Sequence, residues 1–225
     1  MRILVCGEGK HEIGMPNKWC EKTKDYISVE GWMQPLIRAI KGRGIDFSVR
    51  RRSDLILLPK DRLKVRPLPV GHGAKALMAK RIAVVEGFDA VVFMVDADST
   101  DVRRWREIDA EIQDGFARIP QEIPSIACIP MSASESWLLS DSEAWLLVTG
   151  NDAVPIPKQP EKIWGERDDP DADHPHSLFA RLCDGCQAPD GHALRLDLAQ
   201  KLNLETLLQK CPISFRPFYD ALKAA

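Results

Sequence analysis

Glu8, Asp96 and Asp98 are the side chains of this sequence whose types and positions best suit them for chemistry. Asp96-Ala97-Asp98 follows the most apolar segment, Ala90-Val91-Val92-Phe93-Met94-Val95, and Glu8-Gly9-Lys10-His11-Glu12 follows another, Arg2-Ile3-Leu4-Val5-Cys6. A short apolar run rich in β-branched residues reads as a strand buried on both faces, the kind found in parallel sheets. Ligands of such sheets bind beyond the carboxyl ends of the strands. Residues two apart in an extended chain point to the same side, about 7 Å apart, so Asp96 and Asp98 are predicted to reach one hard cation. Mg2+ (or Mn2+) suits them, because magnesium prefers oxygen ligands and is commonly held by one or two carboxylates together with substrate phosphates. An Asp at a strand end also serves as a turn residue or N-cap, and Ser99-Thr100-Asp101 would cap a helix beginning at Val102. Turn chemistry does not explain why two separate strands both deliver carboxylates. Glu8 and Glu12 have helical spacing as well, and share a face if a helix follows Gly9.

The elements that must carry these residues alternate between strand and helix, the pattern of a doubly wound α/β fold. Val29, Trp32, Met33, Leu36, Ile37 and Ile40 recur at helical spacing and stop at Gly42-Arg43-Gly44. Residues 45–49 and 55–58 read as short strands, 73–85 as a helix ended by Gly87, 102–116 as a helix, 125–129 as a strand, and 135–148 as one helix bearing Trp137 and Trp145. Residues 151–175 are rich in Pro and Asp, which predicts a long surface loop or lid. Short helices are expected around 177–182, 194–202, 205–209 and 214–224. The predicted organisation is a core over 1–150, with 151–225 forming the loop and a small C-terminal helical annex packed on it.

Glu135 stands near the start of its helix, after a strand that should end at the same edge as Glu8 and Asp96. It is a candidate catalytic carboxylate, although a Glu in a first helical turn, preceded by Ser132 and Ser134, is also what capping and the helix dipole favour. Lys10, His11, His72 and Lys75 lie on segments expected around the acids, where a cation would neutralise a phosphate. Arg50-Arg51-Arg52, followed by Lys60, Arg62, Lys64 and Arg66, is the one concentration of positive charge in a chain of net charge −2. Such a strip supplies phosphate contacts, or simply a solvated edge. Cys183-Asp184-Gly185-Cys186 has the spacing of half a zinc site, with Cys211, His174, His176 and His192 as partners, but no second tight pair accompanies it.

The order of an apolar strand, Glu-Gly-x-x-Glu, a long intervening segment and an apolar strand ending Asp-x-Asp resembles the Toprim domain of topoisomerases, primases and OLD-type nucleases. Residues 2–12 and 90–98 carry the likeness. Ser132-Ala133-Ser134-Glu135-Ser136-Trp137-Leu138-Leu139-Ser140-Asp141 resembles the later Glu-x-Trp-Leu element of a group of small bacterial Toprim-like proteins. Residues 194–222, with Asp197-Leu198-Ala199 and Ser214-Phe215-Arg216-Pro217-Phe218, are similar to the carboxyl end of that group. The resemblance implies a Rossmann-like Toprim core with a mainly parallel sheet, in which Glu8 is the catalytic glutamate and Asp96 and Asp98 bind magnesium. The chain departs from the pattern at Gly7, where an apolar strand residue is usual, and over residues 14–25, which lengthen the loop after Glu12.

The implied chemistry is metal-dependent cleavage of phosphodiester bonds in DNA or RNA. Asp96 and Asp98, with Glu8, bind the metal, and Glu12 or Glu135 joins Glu8 at a second ion. Lys10, Arg50, Arg51, Arg52 and Lys75 contact the nucleic acid. The setting implied by OLD-type nucleases is bacterial defence or repair. The alternative is a non-catalytic Toprim-fold subunit that docks a partner ATPase or nucleic acid; a small-molecule phosphoesterase is a more distant third. Strand passage is disfavoured, since Tyr26 and Tyr219 are the only tyrosines, and no GxxxxGK[ST] loop supplies an ATPase within the chain. At 225 residues the chain can bury a sizeable core. Its apolar runs fall far short of the ~20 residues that span a bilayer, and its amino terminus lacks a signal-peptide h-region. A cytoplasmic protein with reduced cysteines is therefore expected.

Overall fold

The computed structural model describes residues 1–20, 25–56, 67–152 and 154–225. In chain order its elements are β1 (Arg2–Gly7), the single turn α1 (Lys10–Ile13), β2 (Gly14–Cys20), β3 (Asp25–Glu30), α2 (Met33–Lys41), β4 (Asp46–Arg51), α3 (Gly73–Val85), β5 (Ala90–Met94), α4 (Val102–Ala117) and β6 (Ser125–Cys128). Then follow α5 (Glu135–Leu138), α6 (Ser142–Thr149), α7 (Pro175–Gly185), α8 (His192–Lys201), α9 (Leu204–Lys210) and α10 (Phe215–Ala224).

Four strands form an all-parallel sheet in the order β4-β1-β5-β6. With helices on its flanks, this is the Rossmann-like α/β architecture that the alternating pattern predicts. Side chains of successive residues leave a strand on opposite faces, and both faces here are apolar. Ile3 and Val5 join Ala90, Val92 and Met94 in one buried cluster, while Leu4 and Cys6 join Val91, Phe93 and Val95 in the other. The second face is covered by α3 and α4 through Leu77, Ile108, Ile112 and Phe116. These helices approach so closely that a Cβ on Gly115 would lie 2.1 Å from the Gly73 carbonyl oxygen. The first face is covered by α2 and by the C-terminal helices, whose Phe179, Leu198, Phe215, Phe218 and Leu222 belong to the same cluster as Ile3 and Val92. Trp137 sits at the centre of that packing. Its ring meets Trp32 and Phe215 edge-on, and its Nε1–H donates to Ser214 Oγ at 2.7 Å.

Several local expectations are corrected. Of the residues 14–25 expected to lengthen a loop, Gly14–Cys20 form β2 and Asp25 opens β3, its antiparallel partner, with a register shift between Met15 and Lys18, while residues 21–24 lie outside the described residues. Val29 is in β3, so α2 starts only at Met33. The predicted strand over 55–58 is absent where it is described: Arg52–Asp54 is a 3-10 turn, and Leu55 is buried by packing on α3's face of the core rather than by strand pairing. Leu57, Leu58, Lys60, Arg62, Lys64 and Arg66 lie outside the described residues. Among the described residues, no helix is long and apolar enough to cross a membrane.

The single helix expected over 135–148 is two, because Asp141 caps a new start. Its Oδ1 accepts from the Glu143 and Ala144 amides at 3.0 and 3.3 Å, and its Oδ2 accepts from the Asn203 amide at 2.8 Å, tying α6 to the start of α9. Asp141→Ala is expected to destabilise by about 2 kcal/mol, the upper range for a lost cap, since it also strands a third amide. Asp141→Asn should recover the cap but not the Asn203 bond. A fall in the urea midpoint at unchanged slope, ordered Ala below Asn below wild type, checks this; equal midpoints for Ala and wild type would refute it.

Candidate active site

Strand order places the topological switch between β1 and β5, the crevice where α/β sheets bind ligands. The register sets Cys6 opposite Phe93 and Gly7 opposite Arg51. Glu8, Arg52 and the residues after Met94 therefore leave the sheet at one edge. Beyond β5 the chain stays paired, with the Val95 and Ala97 amides donating to the Cys128 and Pro130 carbonyls at 3.0 and 2.9 Å, which fixes Asp96 between them. Asp98 then takes a left-handed φ of 46°, a conformation Asp tolerates better than most residues. The extended spacing expected of Asp96 and Asp98 ends there, yet both line the same recesses.

Three connected spaces run along this edge. The innermost, of about 370 Å3, brings Glu12, Asp96, Asp98 and Glu135 together with Lys10, Arg167, His174, His176 and Arg195. A smaller one of about 170 Å3 shares Glu12, Asp96, Asp98 and Arg167 with it and adds Glu8, Arg52 and His72. An outer basin shares Glu8 and Arg52 and adds Arg51, Ser53 and Lys75. The predicted carboxylates and most of the predicted cations are thus gathered. Arg50 is not among them: side chains alternate along β4, and its guanidinium pairs with Glu86 at 2.9 Å. Glu8 precedes α1 instead of sharing its face with Glu12. Its carboxylate is bonded to Arg52 and remains largely exposed, whereas the Glu12 carboxylate folds back against Gly9, where any Cβ would collide with it, and accepts from Ser134 Oγ at 3.2 Å.

The inner carboxylates fall into two electrostatic groups. Asp96 Oδ1 and Glu12 Oε2 are sealed from solvent and have no hydrogen-bond partner among the described residues. Burial, then the charge of Glu135, pushes both carboxyls up, Asp96 well above the usual range; Glu12 and Asp98 add to the shift at Asp96, and Arg167 opposes it. Glu135 is the reverse. Burial would raise it, but the His176 hydrogen bond and the Arg195 guanidinium prevail and hold it at about 2. Its Oε1 lies 3.3 Å from both His176 Nδ1 and Arg195 Nη2. Arg195 is itself buried, bonded to Asp190 and stacked 4.3 Å above the Phe179 ring. Lys10 and Arg167 are exposed at the recess and make no hydrogen bond or ion pair through their side-chain nitrogens among the described residues.

Asp96 and Glu12 fit a divalent cation: each offers an unpartnered buried oxygen, and the charge missing between them is positive. Among the described residues, no three His, Cys, Asp or Glu side chains already stand in metal-ligand geometry, and Glu135 is occupied by its own cations. The zinc reading gains nothing. Cys183 lies in the apolar cluster with its thiol pushed up to about 12 by burial, while His174 and His176 face the carboxylate recess.

Arg167, Asp190 and Arg195 are site residues that sequence reasoning missed, and His174 and His176 were read from the sequence only as partners for zinc. They come from the loop, from α7 and α8 and from the connection between those two helices, and Arg195 stands 60 residues from its partner Glu135. A buried arginine leaves no periodic signal of its own. The loop that carries Arg167 is hydrogen-bonded to its surroundings: the Ile163 carbonyl accepts from Ser132 Oγ, the Arg167 carbonyl accepts from Ser177 Oγ, and the Glu161 carboxylate accepts from the Ile213 and Ser214 amides. Comparison of the chain with protein-family models, curated proteins and solved structures gives no match.

Proposed function

We propose that this protein is a Mg2+- or Mn2+-dependent nuclease of the Toprim type, hydrolysing phosphodiester bonds in nucleic acid as an effector of bacterial defence or repair. The observation that carries the reading is Asp96, a carboxylate with a buried unpartnered oxygen beside Glu12 at the sheet's switch point. Asp96 and Glu12, with Asp98, would hold the cation. When bound, the ion would polarise a phosphoryl oxygen and lower the pKa of a water. Lys10 and Arg167 are free to take the non-bridging phosphate oxygens. Arg51, Arg52 and Lys75 line the approach and suit a backbone bound without regard to sequence. Arg52 is offered to the phosphate and its partner Glu8 to the ion or a proton, the catalytic part that the Toprim resemblance assigns to Glu8.

A second reading rests on the same pairs. Arg52 on Glu8 and Arg195 on Glu135 occupy two of the carboxylates, as in a non-catalytic subunit that docks nucleic acid or a partner ATPase. A cleavage assay with single- and double-stranded DNA and RNA, across divalent metals, separates them. Glu8→Gln is expected to cut the rate at least ~100-fold, the lower end for a lost acid-base group, with little change in melting. Arg51→Ala with Arg52→Ala should weaken binding and lower the salt slope by roughly 1.4–1.8, at about 0.7–0.9 for each phosphate no longer neutralised. Binding with that salt slope but no cleavage under any metal would transfer the protein to the docking reading.

A further inference from the structure

We infer that His176 is the general acid of the proposed nuclease, delivering a proton to the leaving oxygen, and that Glu135, Arg195 and Asp190 are the positioning residues that orient it. This rests on the nuclease reading and adds to it a proton donor from α7, a segment outside the Glu-Gly-x-x-Glu and Asp-x-Asp elements.

The geometry is a layered support behind one ring. His176 Nδ1 lies 3.3 Å from Glu135 Oε1, so Nδ1–H donates to the carboxylate and Nε2 is left without a hydrogen bond among the described residues. Glu135 is fixed from behind by Arg195, which is fixed in turn by Asp190 and Phe179. A carboxylate that sets the tautomer and orientation of an imidazole, and is itself held, is the arrangement by which His acts in proton transfer. The ring is half exposed, which lets solvent return the proton after each turnover. It lines the same recess as Asp96 and Asp98, and at about 370 Å3 that recess is at the small end for a ligand cleft. A phosphodiester seated on the sheet-edge carboxylates therefore also meets the wall that α7 supplies.

The surrounding charges favour the protonated ring. Glu135 from α5 raises His176, outweighing burial and the opposing Arg195 from α8 and Arg167 from the loop. Asp96 and Asp98 from the sheet edge and Glu12 from α1 also face the recess as acids; Lys10 and His11 from α1 face it with His174 from the loop end. The other two shifted imidazoles there, His11 and His174, are both pushed down, by burial first. His174 is further committed, because its Nδ1 accepts the His176 amide as the N-cap of α7.

In the balanced step, the oxygen of one water bonds to phosphorus and the bond from phosphorus to the leaving oxygen breaks. The leaving oxygen takes the Nε2 proton of His176. The proton shed by the water passes to solvent, and His176 is reprotonated from solvent.

Substrates with sulfur in place of the bridging leaving oxygen test this, because a thiolate departs without a proton. His176→Gln is expected to slow the ordinary phosphodiester at least ~100-fold but to stay within about threefold of wild type on the bridging-sulfur substrate. Taking the variant-to-wild-type ratio on each substrate cancels any difference in how the metal tolerates sulfur. Wild type alone provides a second readout: its rate on the oxygen substrate should fall as pH rises through the raised His176 value, and the sulfur substrate should lack that limb. Equal losses on both substrates, or no loss on either, with wild type active, overturn the His176 assignment and leave the nuclease reading standing. Absence of cleavage by wild type under every divalent metal removes both.

Discussion

Asp96→Asn is expected to abolish the response of the protein to divalent metal, to cut cleavage at least ~100-fold, and at the same time to stabilise the metal-free fold. The three effects share one cause. Asp96 places a carboxylate oxygen where solvent cannot reach it, no donor meets it, and Glu135, Glu12 and Asp98 all repel it. Asn has nearly the same shape and removes that charge. A gain of about 1 kcal/mol would raise the melting temperature of a chain this size by roughly 2–4 °C. Wild type should gain at least as much from saturating Mg2+ by mass action, about 2.7 kcal/mol at a hundred times Kd. Melting curves with and without Mg2+ decide the matter: a variant that keeps the full metal response binds its ion elsewhere.

The pH dependence of that response has a definite sign. Asp96 and Glu12 have folded pKa values above their unfolded ones, so the folded state retains protons that the unfolded chain has released. Their contribution to metal-free stability is fully present below the unfolded values and is lost as pH rises through the folded ones. Binding of Mg2+ requires the deprotonated forms, so the stabilisation by metal grows over the same range. Glu135 runs the other way: held at about 2, it contributes stability above the ordinary carboxylate range that is lost as pH falls from 4.5 toward 2. The Mg2+-induced rise in melting temperature should therefore be larger at pH 8 than at pH 5, and Asp96→Asn should remove the difference.

What could be read from the sequence was what is local. The strands before Glu8 and Asp96 announce themselves as apolar runs, and the acids follow within a few residues, so both the parallel sheet and the edge that carries chemistry were legible. The break between α5 and α6 was not, because Trp137, Leu138, Trp145 and Leu146 keep an apolar rhythm through it. The capping preference of Asp141, also in the sequence, won over that rhythm. Arg50, Arg51 and Arg52 look equivalent in a row, but strand alternation turns Arg50 to Glu86 and leaves Arg51 and the turn residue Arg52 at the basin. The wall made by His176 and Arg195 was illegible for a different reason. Its residues are 41 and 60 positions from Glu135, and only the packing of the C-terminal helices onto the sheet brings them there.

That wall leads to the largest stability effect expected in the molecule. Arg195→Met should destabilise the protein by about 3–5 kcal/mol, the cost of breaking a buried ion pair from one side, although Met fills much of the space over Phe179. Two carboxylates are stranded at once: Asp190, partly exposed, can turn to water, but Glu135 is buried and keeps His176 as its one potentially cationic partner, with a long bond from Ser134 Oγ at 3.5 Å. Its pKa should rise from about 2 once the guanidinium is gone, so the variant should lose additional stability at neutral pH and recover part of it in acid, relative to wild type. Arg195→Lys keeps a charge but not the fork that spans both acids or the stack on Phe179, and should fall between. Adding Glu135→Gln to Arg195→Met removes the stranded charge and should restore about 1–3 kcal/mol, the usual range for coupled neighbours. Urea unfolding of the four proteins measures this. A double variant no more stable than Arg195→Met would mean that Arg195 acts through packing on Phe179, and that the Glu135 carboxylate is steadied without the guanidinium, by His176 and its hydrogen bonds.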